Sequence, residues 1–172
     1  METIISDINM MNIDISPEQK YIQLYKQLWD LCQHNNWGDP FSYSRGKEIY
    51  IANLLKHKIA QTYSGPDGVD CDGECEYKST TDEKNIKATY NGISVQETWE
   101  KQYEYLRDKK IAKYKNHYFA RFNNGKIIEI YKMKGDKVLE LLLPKLKKQF
   151  DPNIIIKLLF FKLSNTSIEP PF

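Results

Sequence analysis

Cysteine and histidine are both scarce in this chain, with three of each among 172 residues. An odd number of cysteines cannot form a complete disulfide framework, which favours a reducing compartment. Zinc coordination by Cys71 and Cys75 is not expected, because the hairpin described below turns their thiols to opposite faces. No histidine lies nearby to complete a tetrahedral site.

Long apolar runs are also missing. The most apolar segment, residues 154–163, contains Lys157 and Lys162 and is too short to cross a membrane. Residues 1–15 lack the basic region and apolar run of a signal peptide. We therefore expect a cytoplasmic protein without a membrane partner. The net charge of +2 excludes a globally basic chain, so any nucleic-acid surface must arise from local segregation of charge.

The residues that are present suffice for one folded domain. A hydrophobic content of 41% and an aromatic content of 13% exclude an intrinsically disordered chain. A length of 172 residues supports one core but not two. We expect a single domain over residues 1–172, with residues 1–15 and 151–172 peripheral.

Helix signals recur along the chain. A capping serine, a proline and an acid at Ser16-Pro17-Glu18 predict a helix over 17–34, and apolar spacing predicts another over 45–59. The capping box Ser94-x-x-Glu97 predicts a long helix to about Tyr114. A last helix over 136–150 contains Pro144, where a kink or an early break is expected.

Strand signals complete the pattern. Two apolar segments, 117–122 and 126–133, flank the turn Asn123-Asn124-Gly125. Residues 79–92 are polar and show no clear period. The resulting order α, α, β-hairpin, α, β, β, α predicts an α/β fold class, with one mixed sheet flanked by helices.

The segment 65–78 carries the candidate chemistry. Asp72-Gly73 predicts a two-residue turn that pairs Cys71 with Glu74, Val69 with Glu76 and Asp67 with Lys78. Because side chains alternate along strands, one face then presents Asp67, Glu74, Glu76 and Lys78. The opposite face presents Asp70, Cys75, Tyr77 and Ser79.

Two carboxylates and a lysine on one sheet face suit metal-dependent hydrolysis of a phosphodiester. Mg²⁺ prefers oxygen ligands and commonly binds one or two protein carboxylates, which Asp67 and Glu76 can supply. Lys78, kept cationic by the two acids, can hold a water molecule and stabilise the charge that develops on phosphorus. An acidic Asp-Gly segment can equally be a solvated turn. A calcium loop of the EF-hand type is excluded, because Gly68 and Ser79 stand where it requires acids.

The spacing Pro66-Asp67 followed by Glu76-Tyr77-Lys78 resembles the PD-(D/E)XK motif of nucleases. The wider segments Gly46-Lys47, 67–70, 73–79, 111–115, 119–122 and 127–131 occur in the same order as in type II restriction endonucleases of the PvuII type. This resemblance covers roughly residues 37–148. Residues 80–92 lack the histidine-rich segment of those enzymes, so the recognition sequence is not carried over.

The resemblance implies a restriction-endonuclease-like core and a Mg²⁺ cofactor. It further implies a homodimer that cuts both strands of double-stranded DNA at a short palindromic site, with a cognate DNA methyltransferase encoded nearby. It assigns metal binding to Asp67 and Glu76 and catalysis to Asp67, Glu76 and Lys78. The aromatic stripe of helix 17–34 is our candidate for the dimer surface, because it exceeds what a small sheet can cover. Packing of this stripe on the protein's own core is an equal alternative.

Other polar residues are candidates for supporting roles. We expect DNA contacts from the polar segment that follows the catalytic strand, namely Lys84, Lys87, Tyr90 and Asn91, and from Lys113 on the polar side of the next predicted helix. Glu48 and Glu74 are possible accessory acids. Two alternatives stay open: a structure-selective or repair nuclease with the same motif, and an inactive DNA-binding relic of the same fold.

Overall fold

The structure, a computed structural model, describes residues 15–61 and 65–150, and the backbone of 158–163. The helices are α1 (Pro17–His34), α2 (Arg45–Leu55), α3 (Trp99–Tyr105), a π-helix (Leu106–Lys110) and α4 (Gly135–Gln149). The strands are β1 (Lys58–Ile59), β2 (Gly68–Asp70), β3 (Gly73–Thr80), β4 (Ile86–Asn91), β5 (Asn116–Asn123), β6 (Lys126–Lys134) and β7 (Leu158–Leu163).

Five strands form a mixed sheet in the order β1-β2-β3-β5-β6. Its only parallel pair within the described residues is β3 with β5, and the other neighbours are antiparallel. A parallel pair needs a crossover connection, which β4, α3 and the π-helix provide. The predicted fold class, a mixed sheet flanked by helices, is therefore confirmed.

The sheet is covered on both faces. One face packs on the larger core cluster, which contains Phe119 of β5 and buried residues of β4, the π-helix and α4. The other face packs on α2 through Ile51 and Ala52, which meet Cys75 and Tyr77 of β3. Alternation along β3 therefore turns Glu76 and Lys78 toward the side of β4 and the π-helix.

Several predicted elements are confirmed. Helix α1 spans 17–34 as predicted, and Ser16 and Gln19 form a reciprocal capping box at its start. The β5–β6 hairpin turns at Asn124-Gly125, where both residues have positive φ. Helix α4 continues to Gln149 without the early break expected at Pro144, because Leu142 and Leu146 are both buried in the core and hold the helix there.

Two helix predictions are wrong in their bounds. The second helix ends at Leu55 because Lys56 adopts a left-handed conformation, and Ile59 then pairs with Gly68 in the sheet. The third begins after Thr98, whose hydroxyl caps it, and passes into the π-helix after Tyr105. A π-turn brings residues five apart toward one face, so Leu106 and Ile111 are both buried.

Residues 79–92 are not irregular. Strand β3 continues to Thr80, and β4 follows at Ile86–Asn91 and pairs antiparallel with β7. The expectation that 151–172 is peripheral can be compared with the structure only at β7, because the rest of that segment and residues 1–14 lie outside the described residues. No helix of the described residues is long and apolar enough to span a membrane.

The β2–β3 hairpin has a different register from the predicted one. Its turn residues are Cys71 and Asp72, with Asp70 paired to Gly73 and Val69 paired to Glu74. The carboxylate of Asp70 accepts a 2.7 Å hydrogen bond from the amide of Asp72, which fixes the turn one residue earlier. The three predicted pairings are therefore wrong. Because the partner moves by two residues, the side chains keep the predicted faces.

Candidate active site

Asp67 is fixed at the start of the hairpin by its own backbone. Its carbonyl accepts a hydrogen bond from Ala60 at 3.2 Å, and its amide donates to the carbonyl of Cys75 at 3.1 Å. Its carboxylate accepts a 2.7 Å bond from the amide of Tyr77. Strand β2 is thereby held against β3, and the carboxylate of Asp67 lies beside the segment that carries Glu76 and Lys78.

Gly68 permits this close approach. A Cβ atom at this position would overlap the ring and hydroxyl of Tyr77. The Tyr77 ring is buried under α2 and its hydroxyl lies 2.9 Å from Nδ1 of His57, so it has little room to move. The residue beside Asp67 must therefore lack a side chain for the hairpin to close.

Glu76 and Lys78 project from β3 on the face opposite Tyr77. The ammonium of Lys78 forms a hydrogen-bonded ion pair with Oε1 of Glu76, and both side chains are largely shielded from solvent. In the parallel register, Glu76 lies beside His117 and Lys78 beside Phe119. The structure thus brings together the three residues that the sequence indicates as catalytic.

The electrostatics of the three groups are strongly coupled. Burial and the charge of Glu76 raise the pKa of Asp67 to about 7, although the charge of Lys78 opposes this shift. Burial alone would lower the pKa of Lys78, but the charges of Glu76 and Asp67 more than offset burial and raise it. The site therefore holds a cationic lysine between two acids, one of which resists ionisation.

A buried hydrogen-bond chain stands behind Lys78. The Tyr90 hydroxyl lies 2.9 Å from Nδ1 of His117, whose Nε2 lies 2.8 Å from the carbonyl oxygen of Ile111. Burial lowers the pKa of His117 to about 4 and raises that of Tyr90, so both are neutral. The face of the Tyr90 ring lies 5.1 Å from the Lys78 ammonium.

A cavity of about 340 Å³ opens beside Glu76 and Lys78. Thr89 and Tyr90 of β4 form part of its wall, and the opposite wall comes from the π-helix and the loop after it. Three further lysines line this cavity: Lys109, Lys110 and Lys113. Four lysines against one glutamate give the cavity a cationic lining, which suits a polyanion.

The two possible accessory acids lie in different surroundings. Glu48, in the first turn of α2, is paired with Arg45 at 3.3 Å and is largely shielded. Burial raises its pKa, and the charges of Lys78 and Glu76 act on it, so it lies near the candidate site. Glu74 is exposed on β3, and its carboxylate lies 3.8 Å from the ammonium of Lys113.

The expected DNA-contacting residues do not form one group. Lys113 lines the cavity, whereas Lys84 is exposed in the β3–β4 loop and Lys87 forms an ion pair with Asp82. Tyr90 is buried, with its hydroxyl bonded to His117, so it lies in the wall of the cavity and not on an exposed polar segment. Asn91 ends β4, and its side chain lies outside the described part.

One compact group of potential metal ligands occurs in the described residues, formed by Asp70, Cys71 and Asp72 in the hairpin turn. Both carboxylates already accept hydrogen bonds from Nδ2 of Asn116, at 2.7 and 2.8 Å, and Asp70 also accepts one from Tyr118 at 2.9 Å. These contacts tie the turn to β5. We therefore assign this group a structural role.

Sequence reasoning missed the contribution of β4 and His117 to the site. The signal for β4 was present, because the apolar residues Ile86, Ala88 and Tyr90 alternate with Lys87 and Thr89. Nothing local indicates His117, which reaches the site only through the parallel pairing of β5 with β3.

Comparison of the chain with protein-family models and with curated proteins finds no match. Function is therefore inferred from the residues and their geometry, together with the motif resemblance.

Proposed function

We propose that this protein is a Mg²⁺-dependent type II restriction endonuclease that hydrolyses phosphodiester bonds of double-stranded DNA at a short palindromic site. One observation carries the proposal: the charges of Asp67, Glu76 and Lys78 act on one another on one face of the β2–β3 hairpin, and Glu76 and Lys78 line a cationic cavity. The fold supports it as well, since a mixed sheet with this motif on its central strand is compatible with a restriction-endonuclease-like core.

Asp67 and Glu76 are the residues that would hold Mg²⁺. They supply oxygen donors, which this hard cation prefers, and the charge of Glu76 disfavours ionisation of Asp67. A divalent cation between them compensates that repulsion, so the donor set fits the metal. When bound, Mg²⁺ polarises the phosphate and activates a water molecule.

Lys78 is suited to electrostatic stabilisation. Its pKa is raised, so it stays protonated at neutral pH and has no lone pair with which to act as a general base. Its ammonium can donate hydrogen bonds to the attacking water and to a phosphate oxygen, and it stabilises the negative charge that develops on phosphorus. We therefore assign Lys78 a charge-stabilising and water-orienting role.

Duplex DNA is the substrate that the lining of the cavity favours. Lys109, Lys110 and Lys113 border the site on the side of the π-helix, where they can contact phosphates next to the scissile bond. Lys84 and Lys87 remain candidates for contacts farther along the duplex.

Cleavage of both strands requires two active sites, and we propose that α1 joins two copies of the chain. Large apolar side chains of α1 are exposed: Tyr21 at 66%, Ile22 at 65% and Leu31 at 51%. Tyr21, Leu24, Leu28 and Leu31 follow the alternating three- and four-residue spacing that lets two helices pack along a common seam. A restriction enzyme of this kind acts in the cytoplasm beside a protective DNA methyltransferase, which is the partner we expect.

The test is digestion of a long duplex DNA with the purified protein, with Mg²⁺ and with a chelator. The catalytic variant is Lys78→Ala. The matched control is Lys137→Ala, which removes an exposed lysine paired with Glu140 on α4. We expect discrete bands with the wild type and the control in Mg²⁺, and a loss of at least about 10²-fold in rate for Lys78→Ala.

The other outcomes separate the alternatives. A smear of fragments that Lys78→Ala abolishes would indicate a structure-selective or repair nuclease. Salt-sensitive DNA binding without cleavage, in the presence of Mg²⁺, would indicate an inactive DNA-binding relic and would contradict the proposal.

A further inference from the structure

We propose that Tyr90 and His117 are positioning residues that hold the ammonium of Lys78 in its catalytic place. This inference rests on the proposed function, because it assigns a role relative to the catalytic lysine. It concerns a buried chain of four groups that runs from the end of the π-helix through His117 and Tyr90 to Lys78.

The direction of each hydrogen bond in the chain follows from chemistry. The carbonyl oxygen of Ile111 can only accept, so Nε2 of His117 carries the hydrogen and donates at 2.8 Å. In the neutral ring Nδ1 then has no hydrogen and accepts from the Tyr90 hydroxyl at 2.9 Å. Neither group has another arrangement that satisfies both contacts.

The buried chain fixes the plane of the Tyr90 ring. His117 is fully buried and Tyr90 is 7% exposed, so packing adds to the hydrogen bond in restricting both rings. The ring then presents its electron-rich face to the Lys78 ammonium, 5.1 Å from its centroid. Glu76 binds the same ammonium by an ion pair. Lys78 is thus held by a carboxylate and by an aromatic face.

A phenol ring suits the position beside Lys78 better than a further carboxylate would. It attracts the cation without adding negative charge to a site that already contains Asp67, Glu76 and Glu48. The ring also excludes water from one side of the ammonium, which strengthens its interaction with an anionic phosphate. Tyr90 therefore orients Lys78 without competing for a metal ion.

The first experiment measures the environment of the Lys78 side chain by NMR and does not depend on DNA cleavage. Protein labelled with ¹³C at the lysine ε carbon is compared by NMR with Lys78→Ala, which identifies the Lys78 signal. Protons above an aromatic face are shifted upfield, so we expect an upfield Lys78 signal that moves toward the random-coil position in Tyr90→Leu. We expect His117→Phe to give a smaller movement in the same direction. Tyr103→Leu, which removes a ring that stacks on Arg107, is the matched control.

The second experiment measures kcat and KM for DNA cleavage by variants at position 90. We expect Tyr90→Leu to lower kcat by roughly ten- to a hundredfold with little change in KM, since a loosely held Lys78 weakens stabilisation of the transition state. Tyr90→Phe keeps the ring and should recover most of this loss. Phenylalanines with one, two and three fluorines at position 90 should lower kcat stepwise, because fluorine weakens the ring's attraction for a cation while scarcely changing its shape.

The two experiments separate the inference from the proposed function. An unshifted Lys78 signal in the wild type would overturn the positioning role, whether or not the protein cleaves DNA. Equal kcat values across the fluorinated series would also overturn it, since a purely structural ring would tolerate that series. Absence of cleavage in the wild type would contradict the proposed function, and the NMR comparison alone would then decide the position of Lys78.

Discussion

At the scale of single residues, the carboxyl of Asp67 works against the stability of the fold. Burial and the neighbouring Glu76 raise its pKa from 3.8 to about 7. The folded state therefore binds more protons than the unfolded chain between about pH 4 and pH 7. Below about pH 4 the protonated carboxyl of Asp67 does not destabilise the fold, and this stability is lost as the pH rises to about 7.

Asp67→Asn should remove this cost. At pH 8 in chelating buffer, we expect the free energy of unfolding of the variant to exceed that of the wild type by an amount on the order of 1–4 kcal/mol, with a correspondingly higher Tm. Near pH 4 the two proteins should be equally stable. Thermal melts across this pH range measure the difference. Asp30→Asn, at an exposed pair on α1, is the control and should have little effect. A variant that is less stable than the wild type at pH 8 would contradict the assignment.

Mg²⁺ should reverse the order of thermal stability of the wild type and Asp67→Asn. Binding between Asp67 and Glu76 stabilises only the folded wild type, so its Tm should rise with Mg²⁺ concentration as expected for a linked ligand. Asp67→Asn has lost one ligand and should respond much less. Equal rises in both proteins would place the metal elsewhere.

At the scale of elements, the sequence predicted which side chains of the β2–β3 hairpin share a face, but it did not predict the register of the hairpin. The expected turn was one residue out, because the Asp70 side chain binds the Asp72 amide and selects Cys71-Asp72. The side chains of the hairpin still lie on the predicted faces, because the face of a side chain depends only on whether its position along the strand is odd or even. Strand β4 was missed although Ile86, Ala88 and Tyr90 alternate with polar residues. The π-helix was missed because its form depends on packing in the core, which no local pattern of residues describes.

The lysines of the π-helix and of the loop after it lead to a prediction at this scale. Replacing Lys109, Lys110 and Lys113 together with alanine should reduce the slope of log binding constant against log salt by up to about 3, because each phosphate contact releases about one counterion. Fluorescence anisotropy with a DNA duplex at several salt concentrations measures the slope. Alanines at Lys137, Lys145 and Lys148 of α4, which do not line the cavity, are the control. An unchanged slope would exclude the cavity as the DNA surface.

At the scale of the whole molecule, α1 packs little on the other residues that the structure describes. Within that described part, Cys32 is the only buried residue of α1, and several large apolar side chains of the helix are exposed. Leu24→Glu with Leu28→Glu should convert the proposed dimer to a monomer, since charges cannot be buried along an apolar seam. Sedimentation velocity of both proteins tests this expectation. Lys20→Glu with Lys26→Glu changes polar positions of the same helix and should leave the dimer intact. A wild-type monomer at micromolar concentration would exclude α1 as the dimer surface.

The parallel pairing of β3 with β5 has a consequence during synthesis. A chain that is still leaving the ribosome contains Asp67, Glu76 and Lys78 before it contains Asn116–Asn123. Until that strand is translated, β3 lacks its parallel neighbour, and His117 is not present to bind the Tyr90 hydroxyl. An unfinished or truncated chain therefore holds the proposed catalytic side chains without the scaffold that arranges them. On the proposed function, this order of assembly delays DNA cleavage until β5 has been made.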